Sequence, residues 1–220
     1  MRKIVVYVGM ITLGLSACQS AQESSQGELP ILGRREVVEK VVNGETQTDT
    51  VYHQIADFNF VNQDSMSITN ADVSGKVYVA DFFFTSCPTI CPVMKTQMLR
   101  VYEAFKDQDD FAILSHTIDP EYDTVALLKD YALRLGVNDA STWHFLTGDK
   151  EHIYEIGQQS YMVTAGEDKD EPGGYIHSGA FILVDPNGHI RGIYDGTEAN
   201  QVDKLIKDIP KLLYEFESKK

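Results

Sequence analysis

The stretch KVYVADFFFTSCPTICPVM, residues 76–94, decides the fold. Its first nine residues, Lys76 to Phe84, are dense in aromatic and β-branched side chains and too short for a globular helix, so they read as a buried strand. Cys87 and Cys91 follow directly, each ahead of a proline. A proline ring pushes the residue before it away from helical geometry, whereas proline in a helix's first turn has no amide hydrogen to waste. The helix is therefore predicted to begin at Pro92, with Val93, Met94, Gln97, Met98, Val101, Tyr102 and Phe105 recurring at three- and four-residue spacing. Both sulfurs then lie at a helix amino terminus, where the dipole and free amides favour thiolate and lower the thiol pKa. Two such thiols can exchange with a disulfide or hold a soft cation. A purely structural disulfide is the plain alternative, but a loop this short gains little entropy from cross-linking.

Working outward, Phe111 to Ile118 reads as a second core strand, and Thr124 to Leu135 as a helix stopped by Gly136. Trp143 to Leu146 gives a short strand and Glu151 to Gln159 a helix. Ser178 to Val184 and His189 to Tyr194 form a hairpin turning at Pro186-Asn187-Gly188, and Glu198 to Phe216 closes as a helix broken or kinked at Pro210. Before the central stretch, Arg34 to His53 reads as a hairpin turning near Asn43-Gly44. This order of strands and helices predicts an α/β, thioredoxin-like fold with an N-terminal β-hairpin extension and inserted elements. Right-handed crossovers would set the cysteine loop at the carboxyl edge of a central strand.

The 220 residues are 43% hydrophobic and 24% charged, which excludes a wholly disordered chain, a collagen and a multi-spanning membrane protein. The net charge is −14, or −16 once Arg2 and Lys3 are lost with a leader, so nucleic acid is excluded as a partner. That leader is Met1 to Ala17: a basic start, an apolar run from Ile4 to Leu15 too short to span a bilayer, and the ending Leu15-Ser16-Ala17-Cys18. The ending resembles the bacterial lipobox, which implies cleavage after residue 17 and lipid on Cys18. Residues 18–33 are then the lipidated cysteine and a flexible tether, and 34–220 the thioredoxin-like domain with its hairpin at 34–53. The expected location is the bacterial cell envelope, with the domain lipid-anchored on the extracytoplasmic side. Assigning Cys18 to lipid leaves Cys87 and Cys91 as a pair in an oxidising compartment.

Three motifs in order, Cys87-Pro-Thr-Ile-Cys91-Pro after the aromatic strand, Thr117-Ile-Asp-Pro-Glu-Tyr-Asp-Thr124, and Gly174-Tyr-Ile-His177-Ser, resemble the Sco/SenC family of membrane-tethered, thioredoxin-like proteins. The resemblance spans roughly Asp57 to Phe216. It implies that Cys87, Cys91 and His177 bind one copper ion, Cu(I) or Cu(II), per chain. It also implies a role in assembling the binuclear copper site of cytochrome c oxidase, with the copper-accepting subunit of that or a similar copper enzyme as partner. Ligand chemistry agrees: thiolates select Cu(I) and imidazole accepts either copper state. Zinc is the rival, but a structural zinc site takes four ligands and no fourth residue has a matching position. His53, His116, His144, His152 and His189 show no ligand-pair spacing.

The chain departs from the family at Ile176, where relatives often carry aspartate beside the histidine. Asp81 is unusual in so apolar a strand. Thioredoxins hold a buried aspartate at the same offset, which makes Asp81 a candidate proton acceptor and keeps an extracytoplasmic thiol-disulfide oxidoreductase, working through Cys87 and Cys91, as the alternative. Against it stand the three-residue gap between the cysteines and the sequence Tyr175-Ile176-His177-Ser178, where such oxidoreductases carry a proline. Asp119 is expected to order its loop rather than bind metal.

Overall fold

The computed structural model describes residues 28–42, 45–171 and 173–218. The leader, Cys18 and the Asn43-Gly44 turn lie outside the described residues. The chain runs β1 (Arg35–Val42), β2 (Glu45–Tyr52), β3 (Asn59–Asn62), β4 (Ser67–Thr69), α1 (Asn70–Val73), β5 (Val77–Phe83), α2 (Cys91–Phe105), β6 (Phe111–Thr117), α3 (Val125–Arg134) and β7 (Trp143–Thr147). After these come α4 (Lys150–Glu155), a π-helical turn (Ile156–Ser160), β8 (Ala165–Glu167), β9 (Tyr175–His177), β10 (Ala180–Val184), β11 (Ile190–Asp195) and α5 (Ala199–Glu217).

Seven strands form the main sheet in the order β11-β10-β5-β6-β7-β3-β4. β5, β6 and β7 are parallel, while β10 runs antiparallel to β5. Every residue of β5 and of β6 is buried, the pattern of strands covered on both faces, which is why both read as continuous apolar runs. The loop after β5 therefore emerges at the carboxyl end of a central strand, where the crossover rule puts it. α5 contacts both β11 and β5, and α2 packs on α5 with an Arg100–Asp203 ion pair between them.

Local chemistry accounts for the element ends. Thr124 caps α3, its hydroxyl accepting from the Leu127 amide, and Gly136 at φ 83° turns the chain out while Val137 N donates to Ala132 O at 2.9 Å. The β10–β11 turn is held by Asp185, whose carboxylate accepts from the amides of Asn187 and His189 at 2.9 and 3.0 Å.

Three expectations need correction, and four short strands were not foreseen. α5 runs unbroken through Pro210, because Val202, Leu205, Ile209 and Leu212 make a buried stripe on both sides of it. α4 ends earlier than the pattern suggested and gives way to the π-helical turn. β3, β4, β8 and β9, three or four residues each, had no readable period. Finally, the tether does not extend to residue 33. Arg191 donates to Leu29 O at 2.5 and 3.1 Å and Leu32 N donates to Ile190 O at 2.8 Å, so the chain is already docked along β11 there. The N-terminal hairpin β1–β2 forms a sheet of its own, almost wholly exposed.

Candidate metal centre

The cysteine loop is built by β5 and α2. α2 begins at Cys91, one residue before the expected start, with Pro92 in its first turn. Cys87 N donates to Phe84 O at 3.3 Å, and its sulfur lies 3.6 Å from the Thr89 hydroxyl. The two cysteine side chains are hydrogen-bonded to each other and line one cavity of about 230 Å³ together with Lys95 and Tyr131.

The two thiols are not equivalent. At Cys87 burial works against ionisation, but hydrogen bonds from the backbones of Thr89 and Cys91, and from both their side chains, outweigh it and lower the pKa. At Cys91 burial dominates and raises the pKa well above the ordinary thiol value, despite a hydrogen bond to the Phe84 backbone. The helix terminus was expected to lower both; Cys91 is 2% exposed, and desolvation of the thiolate wins there.

His177 closes β9, its backbone paired with Ala165 of β8; its imidazole lies outside the described residues. The residues on either side of it bear on the cysteine loop. Two positions before, the Tyr175 ring sits 5.1 Å from that of Phe84, and its hydroxyl is hydrogen-bonded to Asp119. Two positions after, a Cβ on Gly179 would stand 3.8 Å from Ile90 Cδ1. Gly173, ahead of β9 at φ 87°, approaches so closely that a Cβ there would meet the Phe84 ring at 3.0 Å and Pro88 at 3.2 Å. Glycine is required at this packing point.

Two more groups hold the loop. Asp123 is fully buried and accepts from Thr85 N at 3.1 Å and from the hydroxyls of Thr85 and Thr117; burial raises its pKa, and these bonds oppose the rise. It therefore ties the start of the cysteine loop to the end of β6. Asp119 orders its own turn, accepting at its carbonyl from the amides of Tyr122 and Asp123. Asp81 is completely buried. Its carboxylate accepts from Lys95 Nζ at 2.6 Å and from the Ser115 hydroxyl, and Ser115 accepts in turn from Trp143 Nε1 at 2.9 Å.

Cys87 and Cys91 are thus brought together, the residues flanking His177 pack on Phe84, Pro88 and Ile90 of their loop, and Asp81 is buried in an ion pair with Lys95, which lines the cavity the cysteines share. Sequence reasoning missed Asp123 and Lys95. The signal for Lys95 was a lysine between Met94 and Met98, one helical turn after Cys91, on a face otherwise apolar. Among the described residues no three His, Cys, Asp or Glu side chains gather as a metal cluster.

A family model for SCO1/SenC matches residues 46–214. The SCO1 protein homolog of Bacillus subtilis is 33% identical over 170 residues, 76% of this chain and 86% of the relative. Among solved structures, a SCO1/SenC family lipoprotein from Bacillus anthracis superposes with TM-score 0.66 and 31% identity, covering 73% of this chain and 95% of that one. BsSco, described as carrying a disulfide switch and as one of the Sco cytochrome c oxidase assembly proteins, superposes at TM-score 0.65 and 32% identity, over 74% and 94%. Copper-bound ScoI of Arabidopsis thaliana shares the fold at TM-score 0.58 and 24% identity, over 71% of this chain and 98% of that one.

Proposed function

This chain belongs to the SCO1/SenC family, and on that premise we propose that it carries copper between Cys87, Cys91 and His177 and hands it to the copper-accepting subunit of a terminal oxidase or similar copper enzyme. The observation that supports this reading most is the pairing of two sulfurs in one loop on which the residues flanking His177 pack, Tyr175 against Phe84 and Gly173 against Phe84 and Pro88. Two thiolates and one imidazole suit both copper states and leave a coordination position for an incoming ligand. The copper-bound relative and the family's place in cytochrome c oxidase assembly agree with it. Copper here is cargo, one ion per chain. The chain's own residues hold it: Asp123 fixes the loop, and the Phe84–Tyr175 contact keeps β9 against it.

The lipobox supports a lipid on Cys18, and one similar structure is that of a lipoprotein. No helix among the described residues is long and apolar enough to cross a membrane. The proposed location is the extracytoplasmic side of the cell envelope, tethered through residues 19–28.

The inequality of the thiols favours a second capacity. A Cys87 thiol with a lowered pKa beside a buried Cys91 with a raised one is the arrangement of an attacking and a resolving cysteine, with Asp81, buried in its pair with Lys95, as the candidate proton acceptor. One experiment separates the readings. The reduced domain is loaded with Cu(I), transfer to an apo copper-accepting domain is followed, and reduction of a model disulfide is timed in parallel. Transfer with slow reduction supports the copper carrier; fast reduction that drops in Asp81→Asn, with no transfer, supports the oxidoreductase.

A further inference from the structure

Behind the cysteines lies a charge that the copper reading does not use. Lys95 is 3% exposed at its side chain, yet it lines the cavity that Cys87 and Cys91 share. Its ammonium donates to Asp81 at 2.6 Å and Ser115 at 3.2 Å and stands 4.1 Å over the Phe83 ring. Asp81, enclosed on β5, does not line that cavity. The buried pair is therefore a dipole whose positive end faces the sulfurs, and Cys91 lies within the field of the Lys95 charge.

We infer that the Lys95–Asp81 pair sets the copper oxidation state that the site prefers, by favouring Cu(I). The inference rests on the copper reading above. Two thiolates and a neutral imidazole carry one net negative charge with Cu(I) and none with Cu(II); reduction adds one electron to the metal and moves no proton. A fixed positive pole in a water-poor site stabilises the form with the extra negative charge. Lys95 acts through space and is a positioning residue, not a ligand.

The test measures the Cu(II)/Cu(I) potential and both dissociation constants of the copper-loaded domain by redox titration with ascorbate and dithionite. Lys95→Met with Asp81→Asn removes both charges while conserving volume, and replacing a buried ion pair by neutral groups is commonly tolerated. In this double variant the ratio of Cu(II) to Cu(I) dissociation constants falls at least about tenfold, a potential lower by about 59 mV. The single variants shift in opposite directions: Asp81→Asn raises the potential above the parent, and Lys95→Met lowers it below the double variant. A merely structural role moves both singles the same way. Equal potentials in parent and double variant overturn the inference, as do same-sign shifts in the singles; if the singles do not fold, the double variant decides alone. Failure of the unsubstituted domain to bind copper overturns the copper reading itself, and this inference with it.

Discussion

His116 shows what a single buried residue costs. Its ring is fully enclosed, stacked on Phe82 at 5.0 Å and edge-on to Phe60 at 5.3 Å, and neither nitrogen has a hydrogen-bond partner. Burial, with the charge of nearby His152, lowers its pKa to about 3. The folded protein thus resists a proton that the unfolded chain accepts at about pH 6.5. Stability from this residue is complete above about pH 6.5 and is lost on acidification toward pH 3, at up to about 1.4 kcal/mol per pH unit. His116→Phe, which suits the aromatic cage, should flatten that share. Urea denaturation at pH 7, 6 and 5 checks this, and parallel pH dependence in the two proteins would contradict it. At this scale the cysteines were legible in the sequence because their spacing and prolines are local. The inequality of their acidities was not, because it depends on how deeply α2 buries Cys91.

Elements carry the site's geometry. Asp123 links Thr85 to the end of β6 through its carboxylate, and its removal leaves a half-buried amide and two hydroxyls without their acceptor. Asp123→Ala should lower stability by about 1–3 kcal/mol, read as an earlier urea midpoint; an unchanged midpoint would mean the clamp carries no load. α5 gives a test of opposite sign. Pro210 is exposed inside a helix that its buried stripe keeps intact, so Pro210→Ala restores a backbone donor without touching the core. Stability should rise by up to about 3 kcal/mol, seen as a higher Tm. β5 and β6 were readable as short continuous apolar runs, α2 by its three- and four-residue apolar spacing, and α3 by the residues that start and stop it, Thr124 and Gly136. β3 and β4 were not: at four and three residues they are too short to show a period, and β3 joins the sheet only through a distant partner, Val61 lying opposite Thr147. β8 and β9, three residues each, are likewise too short to show a period.

Over the whole molecule, the docked segment and the cysteine loop lie at opposite ends of the sheet. Leu32 bonds to Ile190, which pairs with Val184, and Val184 pairs with Tyr78 at the start of β5, whereas the cysteines follow its end. A lipid on Cys18 would therefore hold the domain by the pole away from the site. Cys18→Ala should release the protein from the membrane while its copper binding stays intact, because the segment that the tether joins, Leu29 to Leu32, docks at the end of the sheet away from the loop. Membrane fractionation with a copper titration on the released protein checks both halves. Fold class and family were legible from three motifs in order; the length of tether left free was not, because it depends on Arg191 reaching Leu29 from across the chain.

The central claim is that Cys87, Cys91 and His177 hold copper. Copper-edge X-ray absorption on the Cu(I)-loaded domain, beside His177→Ala, addresses it most directly. Two sulfurs and one nitrogen are expected in the unsubstituted domain, with the nitrogen lost in His177→Ala and Cu(II) affinity falling more than Cu(I) affinity, since two thiolates alone can hold Cu(I). The same nitrogen scatterer and the same Cu(II) affinity in both proteins would remove His177 from the site and contradict the account.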